Sequence, residues 1–112
     1  MVDLSMLLFA LAILAGLGMA FRVLRSRGVS PWAGLGHGML ASCAAGILLG
    51  RVLEGPPSKP LNMAVLLFGL ALLGGLVLLL LRARRDPHPA VFVILHGSMA
   101  LLAFAVLAAA AL

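Results

Sequence analysis

Three observations predict an all-α integral-membrane protein, with four transmembrane helices in an up-down bundle built from two tandem helical hairpins. Of the 112 residues, 64% are hydrophobic and only 10% charged, where soluble domains carry about 25% charged residues. The apolar residues fall into four runs of about 20, the length that crosses a bilayer as a helix. The breaks between the runs collect the arginines and prolines, and the second and fourth runs each carry a histidine followed at once by glycine, His37-Gly38 and His96-Gly97. A mean hydropathy of +1.25 leaves almost no mass for a soluble module, so the chain is read as one domain over residues 1–112.

The first helix is expected over about 4–24. Met1-Val2-Asp3 lacks the basic start of a signal peptide, and the run behind it is longer than such a peptide's apolar region, so the segment reads as retained. Ala12, Gly16 and Ala20 recur at every fourth position, a stripe that lets another helix approach closely. Arg22, Arg25 and Arg27 end the run, their stems long enough to snorkel to the headgroups, and Gly28 is expected to break the helix.

The second helix is expected over about 31–53. Ser30 suits its N-cap and Pro31 its first position, where a missing N–H costs nothing. Trp32 then sits at the membrane interface, as amphipathic aromatics do. Gly34, Gly38, Ser42, Gly46 and Gly50 form an extended small-residue ridge that helix packing explains without a ligand. Cys43 stands alone in the chain and reads as a small packing residue. With one cysteine beside three histidines, none of the usual structural zinc sets, each built on two or more cysteines, is expected.

Pro60 is expected to open the third helix, over about 61–81, which Arg82, Arg84 and Arg85 close. Asp86 can cap the fourth, over about 89–111, with Pro87 and Pro89 stiffening the turn around His88, a solvated turn residue. The net charge of +5 does not indicate nucleic acid. Six of the eight basic residues lie in two short clusters beside apolar runs, where arginines set topology and meet anionic headgroups. The positive-inside rule puts both arginine loops in the cytoplasm and both termini outside, for a bacterial inner membrane.

Residues 1–55 and 60–112 align as an internal repeat. Gly18, Leu24, Arg25 and Arg27 map 57 positions on, to Gly75, Leu81, Arg82 and Arg84. After a two-residue insertion in the second turn, His37, Gly38 and Ala41 map 59 positions on, to His96, Gly97 and Ala100. His37 lies six residues past Pro31 and His96 seven past Pro89, both about 9–10 Å along the helix at 1.5 Å per residue. The two rings are thus expected at one depth, and diagonal helices in such a bundle can point both at the central axis.

Ionisable residues at membrane depth are rare and usually functional. A lone histidine would be read as helix glue, bonded to a neighbouring carbonyl. A symmetric pair points further, to His37 and His96 as the two metal ligands of a haem b, since neutral imidazole ligates iron and bundle cores host cofactors between facing helices. Gly36, Gly38 and Gly97 are expected to clear volume for the macrocycle, with Ala41 and Ala100 one turn on. Arg22, Arg25, Arg82 and Arg84 are the candidate partners for its propionates. The second nitrogen of each ring needs an acceptor, expected one turn back at Ala33 or Phe92. Met39 and Met99 read as core filling.

In this helix arrangement the chain resembles the haem-carrying four-helix bundle of b-type cytochromes, whose second and fourth helices supply the axial histidines. Those proteins commonly hold two haems through two histidines per helix; here each helix has one, which implies at most one haem. The paired His-Gly pattern is also similar to that of small bacterial four-helix membrane proteins. The length resembles small multidrug-resistance exporters too, but their glutamate in the first helix has no counterpart, Asp3 and Glu54 lying near helix ends. No nucleophile–base pair, carboxylate pair or phosphate loop is present, so the expectation is no enzyme in its own right.

The expected function is therefore a b-type cytochrome-like subunit that carries electrons within or near a larger membrane redox complex. The alternative is an accessory subunit without cofactor, packed against partner membrane proteins. The expected partners are the lipid bilayer and either such a complex or a second copy, with a quinone headgroup or a bare copper or iron ion as further candidates for the histidine pair.

Overall fold

The computed structural model describes residues 3–83 and 90–111. They form four helices, α1 (Leu4–Leu24), α2 (Pro31–Glu54), α3 (Lys59–Ala83) and α4 (Ala90–Ala111). All four are long and apolar enough to cross a bilayer. The bundle is 44 Å long and about 22 Å across, against about 40–45 Å for a bilayer with its headgroup regions. Large side chains such as Leu14, Leu66 and Leu102 point outward and are more than half exposed, the coat that lipid requires. Trp32 is exposed at the start of α2, at the level expected for an interfacial aromatic.

The helix ends follow from local hydrogen bonding. Asp3 caps α1 by accepting from the Met6 N–H at 3.1 Å, and it also takes the Ser5 hydroxyl at 2.6 Å. The Arg51 guanidinium, near the end of α2, pairs with the same carboxylate and ties the two helices of the first hairpin together. Ser30 caps α2 through the Trp32 N–H, with Pro31 at the first position. The third helix starts at Lys59 rather than Leu61, because the Ser58 hydroxyl accepts from the Leu61 N–H and its carbonyl from the Asn62 N–H.

The end of α1 differs from expectation. Gly28 does not break it; Ser26 does, with φ +58 in the left-handed region. The Ser26 N–H reaches the Val23 carbonyl and the Arg27 N–H the Arg22 carbonyl, the two bonds of a Schellman motif. Gly28 instead offers its carbonyl to Arg22 Nε at 2.8 Å. The expected cap Asp86, with Pro87, His88 and Pro89, lies outside the described residues.

α1 packs most closely on α2, and α3 on α4, while the α1–α4 and α2–α3 seams are looser. The diagonals meet only through side chains. Across one of them Phe9 and Phe68 stack face to face, 3.6 Å apart and within 5° of parallel.

Residues 59 apart share an environment. Among the described residues, the buried ones are Ser5 and Ala64, Phe9 and Phe68, Ala12 and Ala71, Ala44 and Ala103, Leu48 and Leu107, together with Met6. This register differs from the 57 read for the arginines. Packing pairs Gly16, not Gly18, with Gly75, and no insertion in the second turn is needed. An arginine is placed by headgroup depth and can slide along the helix, whereas a buried position cannot.

Two outcomes are expected. Phe9→Ala opens a hole where the rings stack and destabilises the bundle by about 3 kcal/mol, whereas Leu7→Ala on the lipid face changes stability by less than about 0.5 kcal/mol; unfolding titrations in mixed micelles measure both. Burial raises the pKa of Asp3, but the Ser5 and Met6 hydrogen bonds and the Arg51 charge outweigh it and hold the carboxyl below its ordinary 3.8. Its clamp is therefore fully present above pH 3.8 and lost as pH falls through the lower folded value. The stability difference between the native protein and Asp3→Asn should vanish on acidification through that window, and a difference that persists in acid would contradict the clamp.

Candidate functional site

α2 and α4 carry His37 and His96 to the same level of the bundle, on the second diagonal. Their ring centres are 6.1 Å apart and the ring planes nearly perpendicular, at 86°. The rings are half-buried. Both border a cavity of about 600 Å³ lined by all four helices, with Phe9 and Phe68 at one end of it and Val29 and Arg82 at the other.

Each ring is held by the neighbouring helix of its own hairpin. His37 Nδ1 lies 2.8 Å from the Ala12 carbonyl oxygen on α1, and His96 Nδ1 lies 2.8 Å from the Ala71 carbonyl oxygen on α3. A carbonyl only accepts, so both Nδ1 atoms carry the proton. Nε2 then bears the lone pair, and among the described residues it has no hydrogen-bond partner in either ring.

The expected acceptors Ala33 and Phe92 are thus replaced by carbonyls across the hairpin. The physical reason is access: Gly16 and Gly75 leave the neighbouring backbone bare where each ring arrives. A Cβ built on Gly16 would stand 2.9 Å from His37 Cε1, and one on Gly75 3.1 Å from His96 Cε1. The signal was available in the uniform spacing of 59 that links Ala12 to Ala71, Gly16 to Gly75 and His37 to His96.

The other candidates divide. Gly38 and Gly97 line the cavity, and a Cβ on either, or on Gly36, meets nothing within 4 Å. They border open space and do not brace the rings. Ala41 and Ala100 line the same space. Arg82 is at the cavity and donates to the Val29 carbonyl, so that it holds the first loop from the opposite hairpin. Arg25 does not line the cavity; its guanidinium lies over the Phe21 ring, 4.8 Å from the centroid. Arg22 is engaged with Gly28. Arg84, like His88, lies outside the described residues. Met39 lines the cavity, while Met99 borders a smaller groove on the far side of His96.

Among the described residues, no third histidine, cysteine, aspartate or glutamate joins the two imidazoles to make a metal-binding group. In comparisons with protein-family models, curated proteins and solved structures, nothing matches the chain.

Gly38→Ala and Gly97→Ala are expected to be tolerated, with stability unchanged or raised by up to about 1 kcal/mol through helix propensity. Micelle unfolding titrations read this directly, and a loss beyond about 1 kcal/mol would place a neighbour where open space is described.

Proposed function

We propose that the chain is a small integral-membrane b-type cytochrome-like subunit that holds one haem b between His37 and His96 and carries electrons within or near a larger membrane redox complex. The observation that carries this reading is a pair of imidazoles with ring centres 6.1 Å apart beside a common cavity, each with Nδ1 bonded to a carbonyl and Nε2 without a hydrogen-bond partner among the described residues. A single metal held by both imidazoles, at about 2.0 Å per bond, would need the ring centres no more than about 6 Å apart. The observed separation is 6.1 Å.

The donor set also narrows the guest. Two nitrogens alone leave a bare iron or copper(II) ion to draw most of its ligands from outside the protein. They suffice where the bound group brings its own equatorial nitrogens, as a haem does. When bound, such a group supplies a one-electron iron couple. The chain's residues do the rest. Ala12 and Ala71 fix the ring tautomer, as carbonyl partners of metal-bound histidines commonly do. The stacked Phe9–Phe68 pair bounds the cavity at its packed end. Arg82 brings positive charge to the other end, where propionates can pair with it. Arg25 is set aside as a direct partner, since it lies away from the cavity. In a bacterial inner membrane, the arginine clusters favour that end of the bundle being cytoplasmic and both termini outside.

A second reading, a cofactor-free accessory subunit packed on another membrane protein or a second copy, is favoured by one observation. Cβ atoms built on Gly46 and Gly50 meet nothing within 4 Å, so the end of the α2 ridge beyond the cavity leaves room for another helix to approach.

One preparation tests both. Purified in mild detergent from haem-supplemented cells, the protein should give a reduced-minus-oxidised spectrum of b type and about one haem per chain by pyridine haemochrome. His37→Ala and His96→Ala should each abolish it. A stable but colourless preparation would overturn the cytochrome reading in favour of the accessory one.

A further inference from the structure

We infer that Gly16 and Gly75 are the positioning residues of the histidine pair, and that α1 and α3, which contribute no ligand side chain, set the orientation and the proton of both rings. Each acts with the carbonyl one turn before it, Ala12 and Ala71. The inference deepens the haem reading and rests on it only for its spectroscopic arm, because the contacts involve this chain alone.

Glycine is the poorest helix former after proline, so a helix interior keeps it where space demands. Most glycines in these helices show no such demand: at Gly18, Gly38, Gly46, Gly69 and Gly97 an added Cβ meets nothing within 4 Å. Gly16 and Gly75 differ. At Gly16 the added Cβ falls 2.9 Å from His37 Cε1, 3.5 Å from Nδ1 and 3.6 Å from Nε2, and at Gly75 3.1 Å from His96 Cε1 and 3.7 Å from both ring nitrogens. Both glycines therefore admit the Nδ1–Cε1–Nε2 edge of the ring, with Cε1 foremost. Gly74, the neighbour of Gly75, is in ordinary contact with His96, at 3.6 Å from Nδ1.

The obstructed atom is the far end of a side chain, so an alanine at position 16 is relieved by swinging the ring and not by moving backbone. The swing carries Nδ1 away from the Ala12 carbonyl. With that acceptor lost, nothing holds the proton on Nδ1, and the ring is no longer presented with a fixed Nε2 lone pair. The contact at Gly75 is looser by 0.2 Å, the difference between 3.1 and 2.9 Å, so the effect on His96 should be smaller.

The test is a long-range ¹⁵N–¹H correlation spectrum of the haem-free protein, labelled at histidine, in nanodiscs. His37→Gln and His96→Gln assign the signals. The native protein should show both rings as the Nδ1–H tautomer. Gly16→Ala should lose that pattern at His37 alone, Gly75→Ala should shift His96 to a lesser degree, and Gly18→Ala should change neither. Helix content by circular dichroism checks the fold, and Gly75→Ala carries the test should Gly16→Ala fail to fold. An Nε2–H tautomer at either ring of the native protein, or an unchanged His37 in folded Gly16→Ala, would overturn the inference. In haem-loaded protein, Gly16→Ala should also convert part of the low-spin signal to high spin. If the native protein takes up no haem, the cytochrome reading fails while the tautomer spectra still decide this one.

Discussion

Twice in this bundle a helix carbonyl takes an imidazole Nδ1–H from a neighbouring helix, and the arrangement of the polar centre depends on that repeated bond. A carbonyl oxygen has two lone pairs, so it can serve its own helix and a ring together. Within a bilayer such a bond contributes about 0.6 kcal/mol on average, because the separated helices also find partners. Two of them do not hold four helices together. What they decide is which nitrogen keeps the proton and which way each ring lies, and this is the property a ligand needs. The stability comes from elsewhere, from close packing of Phe9 on Phe68 and of the small residues Ala44, Ala64 and Ala103 around Leu48 and Leu107.

The two ends of the molecule are consequently different in kind. Toward the second loop and the termini the core is closed, and Asp3, Ser5 and Arg51 lock α1 to α2. Toward the first loop the helices stand around a cavity, and the loop carbonyls of Gly28 and Val29 are held by Arg22 and Arg82. Cross-hairpin contact is thus supplied by a ring stack at one level, a facing ring pair at the next and an arginine at the rim. The looser α1–α4 and α2–α3 seams follow from this: the hairpins meet through side chains on the axis more than through backbone approach.

Much of this was legible in the sequence, for reasons that can be named. Four apolar runs bounded by arginine and proline gave the helix count, and Ser30-Pro31 marked the start of α2 because a cap and a missing N–H leave a chemical trace. The shared depth of His37 and His96 followed from their distance to the start of each helix, and 1.5 Å per residue is a dependable ruler. The partners of the rings were not legible in the same way. A histidine carries no mark of which backbone it will meet, so carbonyls on its own helix were expected where Ala12 and Ala71 serve. Adjacency to a histidine marks Gly38 and Gly97, yet both border open space, while Gly16 in sequence is one member of an ordinary packing stripe. Ser26 carries no such mark, since a left-handed residue outside glycine is uncommon.

We propose that His37 and His96, one from each hairpin, bind a single guest through Nε2. Pulsed electron-paramagnetic-resonance spectroscopy of the ferric, haem-loaded protein, with ¹⁵N placed only in histidine, measures this most directly. Two equivalent axial histidine nitrogens coupled to one low-spin iron is the result this account predicts. A high-spin iron with one histidine nitrogen or none would contradict it.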